Sequence, residues 1–572
     1  MGKNWTACAV LAMGVAASTG VLTATAWGAE SPDASFDKTV PPRMSYPTAK
    51  YFSTHPAAYA RFLAQLPHRS AATVSETRFA TSTGGTWQLV REAPGSLTNP
   101  LLLTDGTVIA ANGDTPYWYK LTPDSTGNYA KGTWSKIAAL PVVGNDTKPY
   151  APLYHASAVL PDGRVIIMGG EYNHSNQGVW TNEGAIYDPV ADSWTPVAPP
   201  LGTSWRQIGD AQSTVLADGS FMLASCCAYY PPVDALLDPK SLTWKPTGAP
   251  RFGGAYQDEQ GYELLANGDV LTVDIWTTFP NGNPTNAEKY VPSLHEWVRA
   301  GNTPVSIVDP EACGNFEIGP AVLRGDGSVV AFGGNTGCVT GATADPTVIY
   351  SAKGAWSAGP NVPAVCGSDG ATSCDLADAP AALLPDGNVL FAASAGYGGN
   401  PTHFFEFTSA NSINQVSDTL KYASEAGAYY YNFLELPNGQ ILATDFSKTA
   451  EVYTPAGTPV ASWAPVIYNV SSTLSAGHTY TLVGAQLNGR SQGAYYGDDA
   501  QAATNYPIIR IANVQTGDVF YARSFGFSTM SVAAGTLGKT KFTIQAGAET
   551  GDSLLEVVTN GIASKPVLVT VK

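Results

Sequence analysis

One short phrase, a leucine followed by an Asp-Gly or Asn-Gly turn, occurs seven times in this chain. The anchors are Leu103 (LTDG), Leu160 (LPDG), Leu216 (LADG), Leu265 (LANG), Leu323 (LRGDG), Leu384 (LPDG) and Leu436 (LPNG), at spacings of 57, 56, 49, 58, 61 and 52 residues. Gly accepts positive φ without a Cβ clash, so such a pair between two apolar runs marks a hairpin. A second apolar strand follows each turn, a third follows in most units, and a fourth carries Trp134, Trp194, Trp244, Trp297 or Trp356. Four strands per unit, seven times at about 50 residues, predict an all-β, seven-bladed β-propeller. The segment Gly85–Val90 reads as a fourth strand lying ahead of the first unit. It is placed to complete the last blade and close the ring, which removes an exposed sheet edge.

After about residue 458 the phrase stops, and alternating strands to Lys572 predict a β-sandwich of immunoglobulin-like type, without the Cys…Trp…Cys core of antibody domains. The expected division is 1–26 signal peptide, 27–80 leader, 81–458 propeller and 459–572 sandwich. Lys3, the apolar run behind it and Ala24-Thr25-Ala26 form the pattern of a secretory signal. Pro56 to Leu66 is expected to be a short helix. No later stretch approaches the roughly 20 apolar residues of a membrane span. The location expected is therefore extracellular or periplasmic, with the signal removed.

A net charge of −16 with no basic run excludes the footprint of a nucleic-acid binder. Beyond the signal six cysteines remain, Cys226, Cys227, Cys313, Cys338, Cys366 and Cys374, which allow fifteen pairings. One reading closes a short loop with Cys366–Cys374, staples a hairpin with Cys313–Cys338 and leaves Cys226 and Cys227 as a vicinal pair. No C-x-x-C occurs, so the cysteines do not suggest zinc.

The phrase around Tyr154 to Gly170, the seven units and the trailing sandwich resemble the galactose oxidase/kelch family, most of all its bacterial secreted kelch-repeat proteins. The resemblance covers roughly residues 85 to 572, and the stretch Tyr496–Pro507 is a specific marker of that group. Relatives often carry histidines where this chain reads Ser524 to Ser528. The family's copper oxidases hold copper with two Tyr and two His and cross-link one Tyr to a Cys. The resemblance places the cross-linked Tyr on Tyr154, but its Cys partner near Asn99, the Tyr-His pair within Tyr429 to Tyr431, and the last His near Gln501. Copper favours imidazole and thiolate donors, and only His155 and His174 are nearby imidazoles, so a copper-radical centre is not expected. A galactose oxidase-like oxidoreductase is the most distant alternative.

In a propeller the inner strand of every blade starts near one mouth of the channel, so one offset should define a ring. Six residues before each anchor stand Leu97, Tyr154, Asp210, Glu259, Glu317, Asp378 and Tyr430, with His155 beside Tyr154. Three readings follow. The acids could work on an extracellular polysaccharide as a glycoside hydrolase, because clustered acids in a partly dry pocket retain a proton and present an acid beside a base. Glu259 and Glu317 would be the acid/base pair, with Asp210, Asp378, Tyr154, His155 and Tyr430 around them. Tyr154 or His155 could instead be the base of a polysaccharide lyase. Second, Asp210, Glu259, Glu317 and Asp378 could hold Ca²⁺, which takes oxygen donors. Third, the acids could accept loop N–H bonds that tie blade to blade, which leaves a non-catalytic glycan- or protein-binding kelch protein. A further Ca²⁺ position, or a loop dipping into the channel, is open at Asp498-Asp499, where an acidic turn capping its own N–H groups is the simpler expectation. Trp180, Trp205, Tyr229 and Tyr230 are expected in loops, exposed for sugar stacking or packed. A monomer is assumed.

Overall fold

The computed structural model describes residues 84–174, 179–202, 205–227, 233–248, 250, 259–275, 285–308, 317–334, 345–370, 372–497 and 500–572. All belong to one compact unit, Asp33–Lys572. The signal, the leader with its Pro56 to Leu66 helix, Cys313, Cys338, Tyr229, Tyr230 and Asp498-Asp499 lie outside the described residues.

The repeated phrase builds the same turn every time. In the Leu160 unit, Gly163 N–H donates to the Leu160 carbonyl (2.8 Å) and Leu160 N–H to the Arg164 carbonyl (2.8 Å). Gly163 adopts φ 84°. This is a three-residue loop with its Gly in the left-handed position, which Gly reaches without strain. The acidic or amide residue before the Gly has its own task. Its side-chain oxygen accepts the N–H two residues on, at Asp105, Asp162, Asp218, Asn267, Asp326, Asp386 and Asn438 alike. Such self-capping satisfies a turn N–H that no strand reaches.

We number the blades I to VII by their anchors from Leu103 to Leu436. Blade II is typical: Ala156–Val159, Val165–Met168, Gly184–Asp188 and Ser193–Pro196 pair antiparallel in that order. Its two inner strands are wholly buried because neighbouring blades cover both faces, so they read as continuous apolar runs. Ser193–Pro196 at the rim buries only Trp194. Six of the seven units are separate four-stranded sheets, and blade VI lies within a seven-stranded one. The ring closes as expected. Thr86–Leu89 pairs with Ala450–Thr454 and becomes the outer strand of blade VII.

The rim tryptophans staple adjacent blades. The indole N–H of Trp87, Trp134, Trp194, Trp244 and Trp356 donates to the carbonyl of Ser417, Arg91, Ala138, Ala198 and Ala300 respectively, each on the preceding blade or its exit. Each such bond contributes about 1 kcal/mol.

The C-terminal strands form a sandwich around Leu482, Ile509, Ile511, Phe542, Leu555 and Val557. Val519–Phe525 pairs with both Ile508–Asn513 and Leu537–Thr543 and joins the two layers. The sandwich sits on the Asp-Gly turn face of the propeller. Arg523 donates to the Asp162 carbonyl (2.9 Å), Met530 N–H to Ala217 and Ser524 N–H to Thr104.

From the sandwich, residues 490–497 and 500–506 enter the axis of the ring. Ala494–Tyr496 adds to the inner edge of blade VI by pairing with Pro380–Leu383. Every other blade receives a hydrogen bond from the same segment. Tyr506 donates to Leu102 of blade I, Ser157 of blade II to Gln501, and Gln492 to Thr214 of blade III. Gln501 donates to Tyr262 of blade IV, Arg490 to Gly325 of blade V, and Thr504 to Glu435 of blade VII. The axis is filled by protein.

Candidate functional site

The column of residues six before each anchor lies at the start of the inner strands, at the end of the channel away from the sandwich. All seven members are buried: Leu97 and both glutamates are 0% exposed, Asp210 1%, Asp378 2%, Tyr154 3% and Tyr430 9%. These values place the ring beneath a cover rather than in an open cup. Tyr154, Glu259 and Asp378 share a left-handed backbone, with φ of 50°, 55° and 57°. Non-Gly residues rarely adopt it. The bend recurs at three of the seven column positions, in blades II, IV and VI, and is not common to every blade.

The column divides by chemistry. On one side Tyr154 stacks against Tyr496 of the axial segment, with centroids 6.0 Å apart, and touches Tyr172 and Phe446. Tyr430 packs against Tyr429 and Phe446. Burial, with Tyr496, Tyr429 and other neighbours adding, holds the Tyr154 hydroxyl well above its usual range, so it resists losing a proton. His155 turns into the seam between blades I and II. Its Nε2 meets the Asn99 amide at 2.9 Å and its ring lies beside Trp118. Burial pushes this imidazole down to about 3, so it is neutral at pH 7.

On the other side three acids converge. Glu259, Glu317 and Asp378 each offer a carboxylate oxygen, and these oxygens lie within 4.8 Å of one another. Asp210 occupies the same offset on blade III but does not join the group. The triad comes from blades IV, V and VI, and the axial segment approaches it where Gly497 N–H donates to the Ala379 carbonyl.

Deeper in the axis lie buried acids that the column did not include. Glu263 on blade IV accepts Leu323 N–H of blade V (3.0 Å). Burial holds its carboxyl well above the usual range. Glu435 accepts Thr504 and Asn560 of the C-terminal domain, and burial pushes it up to about 7. Asp234 on blade III bonds the Tyr262 hydroxyl; burial, with nearby Glu288 adding, pushes it up to about 8. These groups do what the third reading assigned to the ring acids: they accept hydrogen bonds that tie blades to each other and to the axis. For Glu263 and Glu435 a lone acid inside an otherwise apolar inner strand was the available signal, whereas Asp234 opens the third strand of blade III.

Among the described residues two disulfides are present, Cys226–Cys227 and Cys366–Cys374, which matches two parts of the pairing read from sequence. Of the two readings of Trp180 and Trp205, exposed for stacking or packed, the structure bears out packing: each is 7% exposed. Trp180 lies against Gly209, and Trp205 packs near Trp244.

A copper centre does not fit these residues. Asn99, at the thioether position, is bonded to His155, Tyr429 to Tyr431 bring no imidazole, and Gln501 is engaged with the Tyr262 carbonyl. The remaining donors at this place are phenols.

Residues 152–201 match the Kelch motif model, and this match spans blade II. The chain carries a kelch motif there. It is 33% identical over 104 residues to the Kelch-like protein terF of Aspergillus terreus, a match covering 18% of the chain and 20% of that relative. Among solved structures it is similar to a fungal alcohol oxidase of the AA5 family in complex with copper, with a TM-score of 0.47 and 14% identity, over 85% of this chain and 99% of that one. No helix among the chain's described residues is long and apolar enough to cross a membrane.

Proposed function

We propose that this chain is an extracellular binding protein whose buried acid triad holds a hard divalent cation, Ca²⁺. The carrying observation is the convergence of Glu259, Glu317 and Asp378, with oxygens within 4.8 Å of one another and no exposure above 2%. Three carboxylates cannot all ionise in a water-poor space unless a cation or retained protons compensate. An all-oxygen donor set suits Ca²⁺, which takes about 6–8 oxygens. An ion there would tie blades IV, V and VI together beside the axial segment. The leader pattern at Met1 to Ala26 and the two disulfides support an extracellular or periplasmic location, because disulfides persist in oxidising compartments. An extracellular polysaccharide is the ligand class we assign.

The second reading, glycoside hydrolysis or polysaccharide lysis by the same acids, is favoured by one feature: a dry triad that retains protons supplies an acid beside a base. The burial of all seven column residues supports binding over catalysis. Calcium titration of chelator-treated protein should give one site per chain and a rise in Tm, both lost in Glu317→Gln. A Tm indifferent to calcium overturns the cation. Turnover of a polysaccharide that disappears in Glu317→Gln establishes the catalytic reading in its place.

A further inference from the structure

A second group of metal-ligating side chains lies on blade II, outside the column. Asp146, His174 and Glu183 each offer a donor atom, and the donors lie within 4.8 Å of one another. Three separate segments deliver them. Asp146 is on the hairpin between blades I and II, closed by the Val142–Pro149 bridge. His174 follows Tyr172–Asn173, which pairs with Pro152–Leu153, and its N–H donates to the Ala151 carbonyl (3.3 Å). Glu183 directly precedes the strand Gly184–Asp188, and its carbonyl accepts Gly169 N–H (2.8 Å).

The imidazole is the independent observation. The His174 side chain is only 10% exposed. Its Nε2 is buried without a hydrogen-bond partner. Its Nδ1 stands 3.6 Å from Asp146 Oδ2, too far for a hydrogen bond. Buried imidazoles ordinarily bond at least one nitrogen to a neighbour. This one is held toward two carboxylates and bonds neither.

We infer that Asp146, His174 and Glu183 form a binding site for a divalent first-row transition-metal ion of the Zn²⁺ class. Donors bound at about 2.0–2.2 Å in tetrahedral geometry stand about 3.3–3.6 Å apart. The His174–Asp146 spacing already matches that edge. One nitrogen and two carboxylates select such ions over Ca²⁺, whereas the all-oxygen triad selects the reverse. Asn173 supplies outer support. Its Nδ2 donates to Glu183 Oε2 (3.1 Å) while its Oδ1 accepts Ala151 N–H (3.0 Å), which leaves Glu183 Oε1 for the ion. Three protein donors leave a fourth position, and the partly exposed Asp146 puts that position toward solvent. The bound ion would link the hairpin between blades I and II to blade II itself.

The test uses the full chain after chelator treatment. Zn²⁺ is titrated against a chromophoric chelator, and Co²⁺ is added separately to read its visible ligand-field absorption. The expected result is one tight Zn²⁺ per chain and a Co²⁺ band typical of low coordination number, neither displaced by millimolar Ca²⁺. His174→Asn should remove both. His174 has φ 58°, and Asn tolerates the left-handed region, so this change deletes the imidazole donor without straining the backbone. Glu183→Gln should weaken Zn²⁺ and leave the far-UV circular dichroism unchanged. Asn173→Ala should weaken binding roughly 10–100-fold, as loss of an outer-shell partner does. No stoichiometric Zn²⁺ in the wild type, or a Co²⁺ band that survives in His174→Asn, overturns the assignment. Glu259→Gln and Glu317→Gln should leave Zn²⁺ untouched, so the two metal proposals stand or fall separately.

Discussion

Blades VII, I and II put Tyr430, Leu97 and Tyr154 at the start of their inner strands, whereas blades III to VI put Asp210, Glu259, Glu317 and Asp378 at the same place. The backbone hardly distinguishes the halves, since Tyr154 and Glu259 differ by only 5° in φ. The side chains do. The aromatic half closes on Tyr496 and becomes core. The acid half gathers charge that apolar packing cannot neutralise. One repeated scaffold therefore offers an aromatic packing position or a clustered carboxylate, and a single side chain decides between them.

The largest expected contrast is in stability. Tyr154→Ala opens a cavity against Tyr496, Tyr172 and Phe446 and should cost about 3–5 kcal/mol in urea unfolding. Glu259→Gln without calcium should cost far less, because it also removes like-charge repulsion. Equal losses would break the division into a packed half and a ligand half. Calcium gives the next effect. At about 100 times its Kd it should stabilise the wild type by about 2.7 kcal/mol. The same addition should do nothing for Glu317→Gln, as followed by thermal unfolding.

The halves should also titrate with opposite signs. His155 has a folded pKa of about 3, below its usual 6.5, so its contribution is intact above pH 6.5 and is lost as pH falls toward 3. Asp234 has a folded pKa of about 8, above its usual 3.8, so its contribution is intact below pH 3.8 and is lost as pH rises through 8. His155→Gln should flatten the acid limb of the stability–pH curve, and Asp234→Asn the limb from pH 4 to 8. A curve whose acid limb is unchanged in His155→Gln would count against the neutral seam histidine. The smallest effect belongs to Asp210. Lying outside the triad, Asp210→Asn should leave calcium affinity unchanged within error, and a clear loss would extend the site to blade III.

The fold was legible because its determinants are local and repeated. An Asp-Gly turn and a rim Trp say the same thing in blade after blade. The column was legible for the same reason, and three of its four acids do meet. Asp210 stays apart because reach and neighbours, not offset alone, decide which carboxylates converge. The axial contacts were not legible as contacts. Gln492 finds Thr214 across 278 residues of chain, and no local pattern encodes that pairing. The Tyr496–Pro507 stretch was read as a marker, with a loop dipping into the channel as one alternative at Asp498-Asp499, and the described residues on either side of that pair do enter the ring. His174 was weighed only as a copper ligand, and Asp146 and Glu183 escaped notice because the three sit in separate segments with no motif spacing. Trp180 and Trp205 were placed in loops correctly, but blade packing covers them.

The filled axis sets an order of assembly. A chain is made from its N-terminal end, so the strand that closes the ring, Ala450–Thr454, exists before residues 490–506 do. Until they arrive, Glu263 and Glu435 face a wet lumen, where a carboxylate is ionised at neutral pH. Insertion expels that water and moves both groups toward their protonated forms. Filling the axis is thus coupled to proton uptake by these two carboxyls, and the sandwich acts on the ring as an axle acts on a wheel.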